Sequence, residues 1–93
     1  MESKHLPIGS IVMLKNDIVL YMIVGYLNKK DGEIKDYISI SFPYGFVSTL
    51  AINCFNNEDI ERLVFQGYKD DKHKIFNEKI INLKEGLKWE LHQ

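Results

Sequence analysis

Cysteine and proline are scarce in this chain, and the shortage of cysteine excludes a class of protein. The 93 residues contain one cysteine, Cys54, and two prolines. A single thiol cannot close an intrachain disulfide, and no second cysteine is present to complete a Cys-x-x-Cys site. The sequence therefore excludes a disulfide-stapled secreted domain and predicts a protein of the reducing cytoplasm.

Long hydrophobic runs are also missing. The longest apolar stretch, Ile18 to Leu27, has about half of the roughly 20 residues that a membrane helix needs, and it contains Gly25. An acid, a proline and a glycine interrupt the N-terminal stretch MESKHLPIGS, where a cleaved signal peptide would have a continuous apolar core. We expect neither membrane insertion nor export by an ordinary cleaved signal.

Charge of one sign is not in excess either. Twelve Lys and Arg residues and thirteen Asp and Glu residues give a formal net charge of −1 at pH 7. Both signs are spread along the chain, so there is no basic stripe to neutralise phosphates, and binding of nucleic acid is not expected. A hydrophobic content of 45% is that of an ordinary folded protein, and a chain of 93 residues forms one domain, 1–93.

Short β-strands are predicted over the first half of the chain. Branched residues indicate strands at about 11–14 and 19–27, and Asp31-Gly32 is typical of a two-residue hairpin turn. In 37–42, Tyr and Ser alternate with Ile and Phe, which predicts one buried and one exposed face. The proline and glycine of the segment FPYGF (42–46) should end this strand.

Two further strands are predicted before the chain changes character. The first is expected at about 49–55. An Asn-capped turn follows at about 57–60, because Glu58 and Asp59 favour the positive N-terminal end of a helical turn. The segment LVFQGY is rich in strand formers, which predicts the second strand at about 62–68.

The C-terminal part has the spacing of an amphipathic helix. Its apolar residues recur at intervals of four, three and four: Phe76, Ile80, Leu83 and Leu87. Asp70 or Asp71 as the N-cap and Gly86 as a C-terminal stop predict a helix over about 71–85. Residues 87–91 are either a short last strand or a frayed helix end.

These elements predict an α+β fold. The β part covers about 6–68 and holds four to five short strands, with the single C-terminal helix packed on them. We expect either a small SH3-like β-barrel or a strongly bent antiparallel sheet.

No group of residues predicts a reaction. The carboxylates near 58–71 lie at a turn and at a helix start, positions where acids are favoured by the helix dipole alone. The histidines lack the spacing of a metal site, and the serines and glycines form no nucleophile or phosphate-loop motif. We therefore expect no enzyme, no metal and no cofactor.

Three parts of the surface are candidates for binding a partner. Tyr44 and Phe46 lie on the Pro-Gly bend, which should place them on an exposed loop. The polar side of the 71–85 helix is a second candidate contact with a partner protein. Glu58, Asp59 and Glu61 form an acidic segment that can face either solvent or a partner.

Four stretches, taken in order, carry a resemblance to a known family: LPIGSIVMLK, YMIVGY, KDYISISFPYGF and FNNEDIERLVFQGYKD. Through them, residues from about 6 to 76 resemble the domain of unknown function 4176, a family of small proteins of Gram-positive bacteria. Phe42 stands where the family usually has Tyr before the proline, a mild departure.

The resemblance implies an association and no reaction. Such genes commonly lie in type VII secretion clusters, beside LXG-type toxins and small helical partners, and no catalytic residues are attached to the family. We therefore expect a non-enzymatic protein-interaction module, an accessory, chaperone or targeting factor for a toxin. The alternatives are an immunity protein that neutralises a neighbouring toxin with its acidic segment, and a barrel that binds a small ligand or an oligonucleotide.

Overall fold

The computed structural model describes residues 5–91, which form five strands and one helix. Single turns of 3₁₀-helix lie at Thr49–Ala51 and Asn57–Asp59. The strands are β1 (Ile11–Leu14), β2 (Leu20–Lys30), β3 (Glu33–Phe42), β4 (Asn53–Phe55) and β5 (Ile60–Phe65), and the helix is α1 (Asp71–Leu91).

All five strands belong to one open antiparallel sheet. Their order is β4-β3-β2-β1-β5, so β4 and β5 are the two edges and the sheet does not close. Helix α1 contacts β2 and β3. The predicted α+β fold is confirmed, and of its two forms the structure shows the sheet and not the closed SH3-like barrel.

The hairpin of β2 and β3 is the longest feature of the sheet. Its turn is the predicted Asp31-Gly32 pair, and both residues have positive φ, 52° and 78°. This is the conformation of a two-residue turn that matches the twist of the strands. The predicted strand at 49–55 is shorter than expected, because residues 49–51 form a 3₁₀ turn and only β4 pairs with β3.

The alternating segment of β3 turns its tyrosine and serine towards the core. Tyr37 and Ser39 are fully buried, whereas Phe42, on the opposite face, is 43% exposed. Burial of these polar side chains is tolerated because each has a partner; the Ser39 hydroxyl donates to the Asn53 carbonyl over 2.8 Å. The two faces differ less than the alternation predicts, since Ile40 is buried as well.

The core lies on the Tyr37 face of the sheet. Its buried cluster consists of Val12, Tyr21, Ile23, Tyr37 and Phe55, with Leu6, Leu14, Tyr26 and Ile60 packed against it. Aromatic rings dominate this cluster, and the ring centroids of Tyr37 and Phe55 are 5.4 Å apart. Tilted ring pairs at this distance contribute beyond the area they bury.

Helix α1 begins where the sequence predicts and ends later. The Asp70 carboxylate accepts the backbone N–H groups of Lys72 (2.9 Å) and His73 (3.2 Å), which makes Asp70 the N-cap. The predicted stop at Gly86 is wrong, and the helix continues to Leu91 without a strand at 87–91. A glycine inside a helix costs only about 1 kcal/mol, which good helix formers on both sides offset.

The helix docks with a face that overlaps the predicted apolar stripe at Ile80 but is rotated from it. Phe76 and Leu83 are 47% and 57% exposed, whereas Asn77 and Ile80 are buried. The docked face includes polar side chains because His5 and Asp36 supply hydrogen-bond partners for them. Of the polar side chains, His73, Asn77 and Lys84 contact this chain itself, whereas others such as Glu78, Lys79 and Asn82 are exposed and stay candidates for contact with a partner.

Candidate functional site

The bend after β3 forms an exposed apolar loop. The Phe42-Pro43 peptide is cis, Gly45 has a φ of +76°, and the Gly45 N–H donates to the Ser41 carbonyl over 2.8 Å. This tight turn leaves both predicted aromatic residues in solvent, with Tyr44 76% and Phe46 61% exposed. Val47 and Leu50 extend the surface. We refer to Tyr44, Phe46, Val47 and Leu50 as the apolar loop.

The acidic segment separates into residues with different surroundings. The Asp59 carboxylate accepts the Asn56 N–H over 2.9 Å, and the Asp59 carbonyl accepts the Lys15 N–H, also over 2.9 Å. Asp59 therefore holds its own turn to the start of the sheet. Glu58 and Glu61 are exposed, so they are the two acids of this segment that can meet a partner.

A polar cavity of about 450 Å³ lies between α1, β3 and the 57–59 turn. Glu58 lines it together with residues that are far apart in sequence, His5, Asp36 and Lys84 among them. The fold thus brings a predicted surface acid next to a buried group of charged and polar side chains.

Asp36 is the centre of this group. Its side chain is 5% exposed, and its two oxygens accept from the Lys84 ammonium and from the Asn57 N–H, the latter over 2.9 Å. His5 Nε2 lies 3.4 Å from Asp36 Oδ1, at the outer limit of a hydrogen bond, so Lys84 is the stronger contact.

Burial by itself would raise the pKa of Asp36. The His5 ring, the Lys84 ammonium and the Asn57 amide outweigh burial and hold the pKa of this carboxyl well below its usual range. Asp36 is therefore a charged carboxylate already occupied by donors. Its chemistry is that of an anchor for α1 and for the 57–59 turn, since its lone pairs are committed to this chain.

The segment of His5 and Leu6 lies between α1 and the sheet. On the helix side, the His5 N–H donates to Asn77 Oδ1 over 2.7 Å, and His73 Nε2 donates to the His5 carbonyl over 3.1 Å. On the sheet side, the Leu6 N–H donates to the Tyr37 hydroxyl over 2.8 Å, and the Tyr26 hydroxyl donates to the Leu6 carbonyl over 2.5 Å. The backbone of this segment is thus the layer on which α1 rests.

The side chains around this layer are buried and mostly paired. The Tyr37 hydroxyl donates to Asn57 Oδ1, and burial raises the pKa of both Tyr26 and Tyr37 to about 12. The His5 ring is 5.4 Å from the Tyr37 ring, and within residues 5–91 neither of its nitrogens makes a well-formed hydrogen bond.

Sequence reasoning missed His5, Asp36 and Lys84. The distances between them along the chain, 48 residues from Asp36 to Lys84, remove any local spacing signal. One signal was available for Asp36. In the sequence Asp36 stands between Ile34 and Ile38 at alternate positions, and an acid in such an apolar alternation requires a buried partner.

Cys54 belongs to another part of the surface. Cys54 is a half-buried free thiol whose Sγ lies 3.1 Å from Asn28 Nδ2, beside a second cavity of about 510 Å³.

Among residues 5–91 no three His, Cys, Asp or Glu side chains are grouped as a metal site would require. No helix within the same range has the length and apolarity needed to cross a membrane.

Two of the motifs noted in the sequence meet in space. The Gly67 N–H donates to the buried Ser10 hydroxyl over 2.9 Å, and a Cβ on Gly67 would lie 2.1 Å from the Ile8 carbonyl oxygen. The LPIGS turn and the FQGY segment are therefore locked together. Both lie inside residues 5–76, which match the family model Domain of unknown function (DUF4176).

The chain is a member of the DUF4176 family. The match ends at residue 76, within the second turn of α1, so the DUF4176 region includes the whole sheet and the start of the helix. Asn77 and Lys84, which attach α1 to the His5 segment and to Asp36, follow the matched region. No curated protein and no solved structure matches the chain.

Proposed function

We propose that this DUF4176 domain is a non-enzymatic protein-interaction module that acts in the cytoplasm of a Gram-positive bacterium. Its role is that of an accessory, chaperone or targeting factor for a toxin of a type VII secretion cluster. The observation that supports an interaction role is the apolar loop. Tyr44 is 76% exposed, Phe46 61% and Val47 70%, within four residues of one another.

Exposure of this kind is costly for a protein that meets only water. Large apolar side chains that lie close together in solvent are typical of surfaces that bind another protein. Aromatic residues are enriched at the centres of such interfaces, where truncating one costs about 2 kcal/mol or more of binding energy. The family resemblance supports the choice of partner, because it implies toxin genes as neighbours.

Co-expression with the products of neighbouring toxin genes tests this proposal. A complex should co-purify, and a Tyr44→Ser/Phe46→Ser double variant should weaken it at least tenfold, about 1.4 kcal/mol or more. Tyr68→Ser is the matched control, since Tyr68 is 82% exposed outside the loop. Consistent absence of a complex with every neighbouring product would refute the proposal, and equal losses with Tyr68→Ser would remove the loop from it.

An immunity role is the second candidate, and the exposure of Glu58 and Glu61 favours it. Two exposed acids three residues apart can mask a basic active site by charge complementarity. Cells that carry the neighbouring toxin should then survive with the wild-type protein and die with Glu58→Lys/Glu61→Lys. Survival with the charge-reversed variant would exclude this role for the acidic segment.

A further inference from the structure

The sheet has a second apolar face, opposite the core. Cross-strand pairing places eight side chains on it in two rows. One row consists of Phe65, Ile11, Met22 and Ile40. The other row consists of Arg62, Met13, Leu20 and Phe42. Directly paired residues of antiparallel strands point to the same side of a sheet. We call these eight residues the open face.

The open face is much less covered than the core face. Val12, Ile23 and Tyr37 on the core face are fully buried, whereas Phe42 and Phe65 are 43% and 59% exposed. Of the eight residues only Ile40, in the middle of β3, is buried. The His5 segment and α1 lie over the core face, where Phe76 packs 6.0 Å from the Tyr26 ring. One layer of a two-layer arrangement is thus unoccupied within residues 5–91.

An added strand does not suit this surface. Edge strand β5 has an extra residue at two points, Glu61 and Val64, relative to its partner β1. Such bulges twist an edge away from further pairing. The other edge, β4, has three residues. These edges therefore favour contact through the side chains of the open face over contact through an added strand.

The dimensions of the open face fit one helix. Four strands about 4.8 Å apart and two rows about 7 Å apart give a surface of about 20 by 14 Å, or about 280 Å². A stable dimer buries about 800 Å² on each partner, so two such faces are too small to hold two copies together. A helix is about 10 Å wide, and about four turns of it cover the length of the surface.

The charge and the side-chain types of the open face indicate which kind of partner helix binds there. Arg62 is its one charge, and it makes no ion pair with any residue in the range 5–91. A partner with a carboxylate opposite Arg62 satisfies it, whereas a second copy brings no acid within the two rows. Met13 and Met22 lie in the middle strands, and the flexible thioether side chain adapts to apolar partners of different shape.

We infer that the open face docks an amphipathic helix of a partner protein, with an acidic residue of that helix over Arg62. The inference rests on the proposed interaction function and names the surface and the kind of segment that binds there. The apolar loop begins two residues after Phe42 in the chain.

The two methionines of the open face, Met13 and Met22, provide the assay. The full chain is labelled with ¹³C-methyl methionine, and Met13→Leu and Met22→Leu variants assign the signals. The probes are two 18-residue model helices with the same leucine face, flanked either by glutamates or by lysines. We expect the glutamate peptide to shift both methyl signals, and we expect binding at least tenfold weaker for the lysine peptide.

Matched variants decide the outcome. Arg62→Glu should reverse the preference between the peptides, and Phe65→Ser should weaken binding at least tenfold, while Trp89→Ser, 67% exposed on α1, should not change it. Unmoved methyl signals, or equal binding of both peptides, would overturn the inference. If the methyl signals shift without peptide as the protein concentration is raised and dimers form, the open face binds a second copy of this chain, and the inference is wrong. Co-purification with a toxin is scored separately, so either conclusion can fail alone.

Discussion

Replacing Gly67 by alanine should destabilise this protein more than any other glycine substitution considered. The added Cβ would lie 2.1 Å from the Ile8 carbonyl oxygen and 2.9 Å from the Ser10 nitrogen. Both are backbone atoms of a segment that is itself held, since the Ser10 carbonyl accepts the Ile23 N–H over 2.8 Å. The backbone therefore has to move.

The size of the effect follows from two contributions. Forcing an extra carbon into a packed site costs about 1–3 kcal/mol, and weakening the hydrogen bond from the Gly67 N–H to Ser10 Oγ adds about 1 kcal/mol. A total of about 2–4 kcal/mol lowers the melting temperature of a domain of this size by at least about 8 °C. Urea and thermal unfolding followed by circular dichroism measure both quantities.

Gly86→Ala is the matched control. An added Cβ at Gly86 meets nothing within 4 Å, and the position is inside α1. Alanine is the better helix former, so the same substitution should here stabilise the protein by about 1 kcal/mol. A Gly67→Ala protein within 0.5 kcal/mol of wild type, on the order of ordinary surface changes, would refute the reasoning.

Three further predictions concern the layer between α1 and the sheet. The pKa of Asp36 is lower in the folded than in the unfolded protein, so its contribution to folding stability is present above pH of about 4 and is lost as the pH falls below that value. Asp36→Asn should therefore lower the free energy of unfolding by about 1.5–3 kcal/mol at pH 7 and flatten the acid limb of the curve of stability against pH. Burial raises the pKa of Tyr37 to about 12, so its contribution to folding stability is complete below pH of about 10 and is lost above it. The midpoint of alkaline unfolding, monitored at 295 nm, roughly the phenolate band, should therefore shift in Tyr37→Phe. Asn77→Ala removes the acceptor of the His5 N–H and should cost about 1–3 kcal/mol, whereas exposed Asn82→Ala should change stability by less than about 0.5 kcal/mol. An unchanged acid limb, an unchanged alkaline limb or equal effects of the two Asn variants would each contradict the corresponding assignment.

Local signals predicted much of the β part. The Asp31-Gly32 turn, the strands that it joins and the Asp70 N-cap depend on residues close in sequence, and the structure confirms them. The exposure of Tyr44 and Phe46 also followed from a local feature, the Pro-Gly bend. Their role as a contact surface stays a prediction, to be decided by the binding experiments above.

The orientation of α1 could not be obtained in the same way. Apolar spacing correctly placed Ile80 in the contact, but the helix is rotated so that Asn77 and Lys84 reach His5 and Asp36, which lie in other elements. Polar side chains are buried where partners exist, and these partners are 48 to 72 residues distant. The closed barrel failed for a related reason, because closure depends on whether the two edge strands meet.

The position of His5 and Leu6 between sheet and helix has a consequence for biosynthesis. Translation delivers this segment long before Asn77 and Lys84, so the strands can pair while the main-chain groups of His5 still lack their helical partners. Until α1 emerges, the Tyr26 and Tyr37 rings have one layer less above them, and an incomplete chain exposes aromatic surface that favours aggregation. Helix α1 thus closes over a segment that left the ribosome 72 residues before Asn77.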